Sequence, residues 1–275
     1  MNIKPDCIVC LMNQALKVSR LLELDDGQSK KVLDATAKIV LEHDMDVTPP
    51  QMAKVIYRSI SEITGLDDPV AVSKKQATKL ALSVDKKRIR SIDDAIKFSV
   101  IGNVIDFGAQ EQFELNEMIA AYFDYPLAID NSGAFREELE NAKEMVIIGD
   151  NVGEHIFDQW LIEKIKERYD VHVYYFVRGI PIINDVTLNE TETLKRYATV
   201  IDTGVTTPGY DLSLASKESL EIFEKADIVI SKGMGNFESL YGETTRSIYY
   251  LFMVKCSVVA AEIGQPVKSM IFKRG

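Results

Sequence analysis

The chain has 275 residues, 46% of them hydrophobic, enough for one large domain or two modest ones, and a disordered polymer is excluded. A formal charge of −10 and a pI near 5.0 oppose non-specific binding to nucleic acid. An acidic protein that handles an anionic ligand needs a metal ion or a few placed cations.

The N-terminus, MNIKPDCIVC, has no apolar core behind basic residues, so no signal peptide is expected. No run reaches the length of a membrane span, and the odd count of three cysteines argues against a secreted disulfide scaffold. The expected compartment is the cytoplasm.

The first hundred residues read as helices. Cys7, Cys10, Leu11, Gln14, Ala15, Val18, Leu21 and Leu22 recur at three-and-four spacing and form one apolar stripe. That stripe could line the core or face a second subunit of a homo-oligomer. A second helical pattern covers about Ser29 to His43, and a third starts near Pro50 and stops at Gly65, which suits a C-cap. Lys74 to Val84 and Ile92 to Ile105 follow. In the last of these, Gly102-Asn103-Val-Ile-Asp106-Phe-Gly108 embeds Asn103 and Asp106 in apolar sequence, one helical turn apart. Buried polar groups cost free energy unless satisfied, so either a helix-end cap or a site explains them.

The pattern changes near 140. Met145 to Gly149, Val171 to Val177, Thr199 to Asp202, Asp227 to Ser231 and Ser269 to Phe272 are short apolar or β-branched runs. Helical stretches such as Glu154 to Arg168 separate them. The most apolar run, Ile248 to Ala261, is broken by Lys255 and reads as a core strand leading into a helix. Strand and helix alternating at this spacing predict a mostly parallel, doubly wound α/β sheet over 141–275, after a helical domain over 1–140. Ligands of such sheets lie beyond the carboxyl ends of the strands.

Those ends carry the polar groups. Gly149-Asp150-Asn151-Val-Gly153-Glu154 puts a carboxylate beside a carboxamide, which are hard oxygen donors for a divalent cation. Glu154 and Asp158 follow at i and i+4 on one helical face. Asp185 lies 35 positions after Asp150, about one βαβ unit on, so both aspartates could hold one ion. Arg178 could reach an anion or be a solvated loop residue. The loop Asp202-Thr-Gly204-Val-Thr-Thr-Pro208 could cradle an anion or be an ordinary turn. Lys232-Gly233-Met-Gly235-Asn236 suits a phosphate clamp at a strand end.

In chain order these segments are Cys7-x-x-Cys10, Gly102-Asn103-x-x-Asp106-x-Gly108, Gly149-Asp150-Asn151-x-Gly153-Glu154-x-x-x-Asp158, Asn184-Asp185-Val-Thr187 and Lys232-Gly-x-Gly-Asn236-Phe-Glu238. Together they resemble the damage-control phosphatases, in particular the small archaeal and bacterial branch that carries the cysteine pair. The resemblance implies a helical N-terminal domain on a three-layer α/β/α sandwich with a Rossmann-like sheet. It also implies a phosphatase that uses one divalent ion (Mg²⁺, Mn²⁺, Co²⁺ or Ni²⁺) on small phosphorylated metabolites, sugar phosphates among them. By the same resemblance Asp150, Asn151 and Asp185 would hold the metal, Asn103 and Asp106 would face the substrate, and Lys232 the phosphate; from their place at the strand ends, Arg178, Gly204, Gly233 and Asn236 are further candidates for substrate contact. Asp106, Glu154 or Asp158 could orient or deprotonate the attacking water, and Asp150 as a nucleophile competes with its use as a metal ligand.

Two other classes fit less well. A nucleotide- or S-adenosylmethionine-dependent transferase lacks its Gly-x-Gly-x-x-Gly after the first strand. A metal- or phosphometabolite-binding protein without turnover would not need so many carboxylates. Cys7 and Cys10 could simply pack on the first helix, or join Cys256 and one of His43, His155 or His172 in a metal or redox site.

Overall fold

The structure, a computed structural model, describes residues 1–103 and 112–275, so Asp106 lies outside the described residues. Three helices open the chain: α1 (Pro5–Leu21), α2 (Asp26–Glu42) and α3 (Pro49–Thr64). Local chemistry sets their ends. Thr48 and Gln51 form a capping box over a proline at the first turn of α3, and Gly65 closes it with φ 71°. Cys7, Leu11, Ala15 and Val18 of α1 pack with Val32, Ile56 and Ile60 in a core of their own. Cys10 is exposed and Gln14 half-buried, so the predicted stripe is divided between packing and a second task described below.

Helices α4 (Ala71–Leu82), α5 (Ile92–Gly102), α6 (Gln112–Phe123) and α7 (Ser132–Leu139) follow, with the two-residue strand β1 (Ile129–Asp130) between the last two. The remaining elements are β2 (Glu144–Ile148), α8 (Glu154–Lys166), β3 (His172–Val177), β4 (Thr199–Asp202), α9 (Lys217–Lys225), β5 (Ile228–Lys232), α10 (Gly233–Leu240), β6 (Tyr249–Met253), α11 (Ser257–Ile263) and β7 (Met270–Arg274). They form a seven-stranded sheet in the order β1-β7-β6-β5-β2-β3-β4, parallel except between β6 and β7.

Side chains alternate across β2. Met145 and Ile147 enter a core with α5, α7 and α8, while Val146 and Ile148 enter one with α9, α10 and α11. Both faces are covered, which is why the parallel strands read as unbroken apolar runs. The expected three-layer α/β/α architecture is thus present. Packing does not follow the change of pattern near 140, however. Residues from Ala81 through Phe135 already share the core on one face of the sheet, and the separate cluster is that of α1 to α3.

The N-terminal helices sit on the carboxyl edge of the sheet. Ser257 Oγ donates to Asp6 at 3.2 Å, tying α1 to α11. Among the described residues no helix is long and apolar enough to cross a membrane.

Candidate active site

The strand order turns away from β2 toward β3 and β4 on one side and from β5 toward β6 on the other. The crevice over this switch point is where doubly wound sheets take their ligands. The turn after β2 carries Asp150 and Asn151 into it, and a short antiparallel bridge pairs Asn151 with Asp185. Val186 N–H donates to Asp150 O at 2.8 Å, and Val152 N–H donates to Asn184 O at 2.8 Å, so two loops are stitched together at their polar residues.

Asp150, Asn151 and Asp185 line a cavity of about 220 Å³ whose far walls are α1 and the start of α3. Gly233 makes the close approach possible. Its φ is +73°, and a Cβ there would lie 1.9 Å from Asp150 Oδ2.

Behind the cavity is a buried polar layer. Asn103 Nδ2 donates to Asp150 Oδ2 at 2.9 Å and to Glu154 Oε2 at 2.8 Å. Asn151 Nδ2 donates to the same two oxygens, at 2.6 and 3.3 Å. Lys232 Nζ donates to Glu154 Oε1 at 2.5 Å, to Asp158 Oδ1 at 2.6 Å and to Ser99 O at 3.2 Å. Asp158 also accepts from Ser99 Oγ at 2.6 Å and from Tyr175 OH at 2.8 Å. Glu154, Asp158 and Lys232 are fully buried.

Several sequence expectations change here. Lys232 does not face the cavity: its ammonium is spent on two carboxylates and a carbonyl. Burial alone would lower its pKa, but Asp158 and Glu154 outweigh that and raise it, so it stays charged. Glu154 and Asp158 each have both carboxylate oxygens occupied and do not line the cavity, so neither presents a free oxygen to it. Arg178 is no loop cation. It is buried, with Nε donating to Asp185 Oδ2 at 2.7 Å and Nη2 to Asn236 Oδ1 at 2.9 Å.

Asn236 is a strut. Its Nδ2 donates to Gly149 O at 3.0 Å and Lys232 O at 2.6 Å, joining the ends of β2 and β5. Gly204 stands apart from the cavity, its N–H donating to Asp202 Oδ1 at 2.8 Å, and the Thr203 and Thr207 hydroxyls donate to Val177 O and Gly209 O. Of that loop only Pro208 reaches the cavity wall.

Lys255, two positions past β6, lines the cavity beside Asp150 and favours the charged form of that carboxyl. Its ammonium has no hydrogen-bond or ion-pair partner among the described residues. The signal for it in the sequence was the single charge interrupting the most apolar run.

Burial, then Glu154, then Asp185 push the Asp150 carboxyl well above its ordinary range. Burial also pushes Asp185 up, to about 6, although Arg178 opposes it. Four carboxyls (Asp150, Glu154, Asp158 and Asp185) thus meet three cations, Lys232, Arg178 and Lys255, and a bound cation would favour the ionised forms of Asp150 and Asp185. Among the described residues no three His, Cys, Asp or Glu side chains converge as a ready ligand group. The donors here are two carboxylates and the Asn151 carboxamide, whose Nδ2 is engaged behind and whose oxygen is left for the cavity. This hard-oxygen set fits a divalent ion.

These features define an α/β/α protein with an oxygen-donor site at the switch point of its sheet. The damage-control phosphatase ARMT1-like domain matches residues 3–271, and the chain belongs to that family. It is 33% identical to the damage-control phosphatase PH1575 of Pyrococcus horikoshii over 100% of this chain and 98% of that protein. It is 30% identical to a damage-control phosphatase of Archaeoglobus fulgidus over 99% of each. The crystal structure of the Pyrococcus horikoshii protein, described as a DUF89 family member, superposes with a TM-score of 0.92 over 100% of this chain and 99% of that one.

Proposed function

We propose that this protein is a divalent-metal-dependent phosphatase that releases phosphate from monoesters of small metabolites. The observation that carries the reading is the convergence of the Asp150, Asn151 and Asp185 oxygens on one cavity over the switch point. The phosphatase names of its relatives agree with it.

Asp150, Asn151 and Asp185 would hold the ion, which supplies Lewis acidity toward a phosphoryl oxygen. Lys255 supplies the cavity-facing cation for the remaining phosphoryl oxygens, the part first assigned to Lys232. Asn103 and Asn151 fix Asp150 through Oδ2 and leave Oδ1 as its free oxygen. Arg178 occupies Asp185 Oδ2 in the same way. With Glu154 and Asp158 spent as acceptors, Asp150 Oδ1 and Asp185 Oδ1 are the free carboxylate oxygens at the metal end of the cavity.

The test is phosphate release from p-nitrophenyl phosphate and a sugar-phosphate panel by chelator-stripped protein, with Mg²⁺, Mn²⁺, Co²⁺ and Ni²⁺ restored singly. No release with any ion, from folded protein, would overturn the reading in favour of a binding or transfer role.

Two variants follow from the geometry. Lys255→Gln is expected to raise KM about 10- to 100-fold through loss of one charge-assisted contact, with an unchanged melting temperature because the side chain is exposed. Gly233→Ala is expected to lower kcat more than about tenfold, since the new methyl displaces Asp150 from the site. Wild-type kinetics in either variant would remove the corresponding assignment.

A further inference from the structure

The cavity extends past the metal end, and its other walls carry polar groups that nothing in the protein satisfies. Glu238, on α10, lines it half-buried, and its carboxylate has no hydrogen-bond or ion-pair partner among the described residues. Burial pushes this carboxyl up to about 7. Gln14, on α1, lines it too, and its Oε1 is buried without a partner. Asp6 also lines it, its Oδ1 accepting from Ser257, and Cys7, Cys10, Leu11, Ala53 and Met234 add small or apolar groups. Lys255 is the cation among the lining residues, and it stands at the Asp150 end.

The cavity is therefore polarised. Its Asp150 end accommodates an anion through Lys255 and an ion, whereas the part near Glu238 offers acceptors and, once that carboxyl is ionised as the nearby N-terminal ammonium favours, repels a second anion. A polar group buried without a partner costs about 1–3 kcal/mol, so a ligand that supplies the partner gains that much over one that does not. A hydroxyl is such a partner, because it both donates to a carboxylate and satisfies either end of an amide.

Building on the phosphatase reading, we propose that Gln14 and Glu238 are the specificity-determining residues. They read hydroxyl groups on the leaving alcohol, select neutral hydroxylated leaving groups and reject those bearing a carboxylate or second phosphate.

The test compares kcat/KM on one preparation of metal-loaded protein for three probes. Glycerol 3-phosphate and 3-phosphoglycerate differ by a hydroxymethyl against a carboxylate, and p-nitrophenyl phosphate has no donor on its leaving group. The wild type is expected to favour glycerol 3-phosphate over 3-phosphoglycerate by about tenfold or more. Glu238→Gln is expected to shrink that ratio about tenfold. Gln14→Leu is expected to lower glycerol 3-phosphate relative to p-nitrophenyl phosphate by about tenfold, and Gln14→Asn to restore part of the loss. Each readout is a ratio within one preparation, so partial misfolding cancels. Equal wild-type use of the two glycerol compounds, or ratios unmoved in both variants, would overturn this pair of roles while p-nitrophenyl phosphate turnover left the phosphatase reading standing. No phosphate release from any probe would overturn both.

Discussion

Lys232→Met is expected to lower the melting temperature by about 6–20 °C. Lys232 is fully buried and bonded to Glu154 and Asp158, themselves fully buried. Removing one member of such a group leaves uncompensated charge in the core, at about 3–5 kcal/mol. In a chain of this size each kcal/mol moves the transition by about 2–4 °C. Thermal unfolding followed by circular dichroism reads the effect. A variant that melts like the wild type but no longer releases phosphate would return Lys232 to the substrate and refute its role as a buried counter-ion.

Asp150→Ala should do the reverse. Turnover is expected to fall by about 10³-fold or more, because the variant loses the one side chain that both faces the cavity and anchors the Asn103 and Asn151 amides. Metal-free stability should hold or rise, since Asp150 sits against Glu154 and Asp185 and burial resists its ionisation. The sign follows from linkage. A carboxyl whose folded pKa is raised binds more protons folded than unfolded, so its contribution falls as pH rises from its unfolded value. For Asp185 that window runs from about 4 to about 6. A bound ion reverses the penalty: at 100 times its dissociation constant it adds about 2.7 kcal/mol, visible as a melting shift. That shift should appear in the wild type and be absent from Asp150→Ala. A full-sized metal shift in the variant would dismiss Asp150 as a ligand.

How much of this was legible depended on whether a local pattern settled it. β2 and β5 could be read from unbroken apolar runs because both faces of a parallel sheet are covered. β1, two residues long, has no period to detect. Asp150 and Asn151 could be placed at a strand end from the run before them, whereas Asp185, expected to end the next strand, lies in the loop beyond β3 and reaches Asn151 through an isolated bridge. The partner of Lys232 could not be placed, because it depends on α8 packing against α5 and bringing Glu154, Asp158 and Ser99 to one ammonium. Arg178 and Asn236 were singled out for the right neighbourhood, yet their hydrogen bonds turn them inward. Lys255 was noticed only as an interruption, since nothing local says that a charge beyond a strand meets a cavity.

The contact between Asp6 and Ser257 spans 251 positions, and the cavity walls are likewise drawn from α1, the middle of the chain and α11. Closing a loop of that length costs conformational entropy that only the finished sheet repays, and such non-local contacts form slowly. A chain cut before Lys255 therefore has neither that ammonium nor the wall that α1 leans on. Refolding should show helical signal first and ligand binding last.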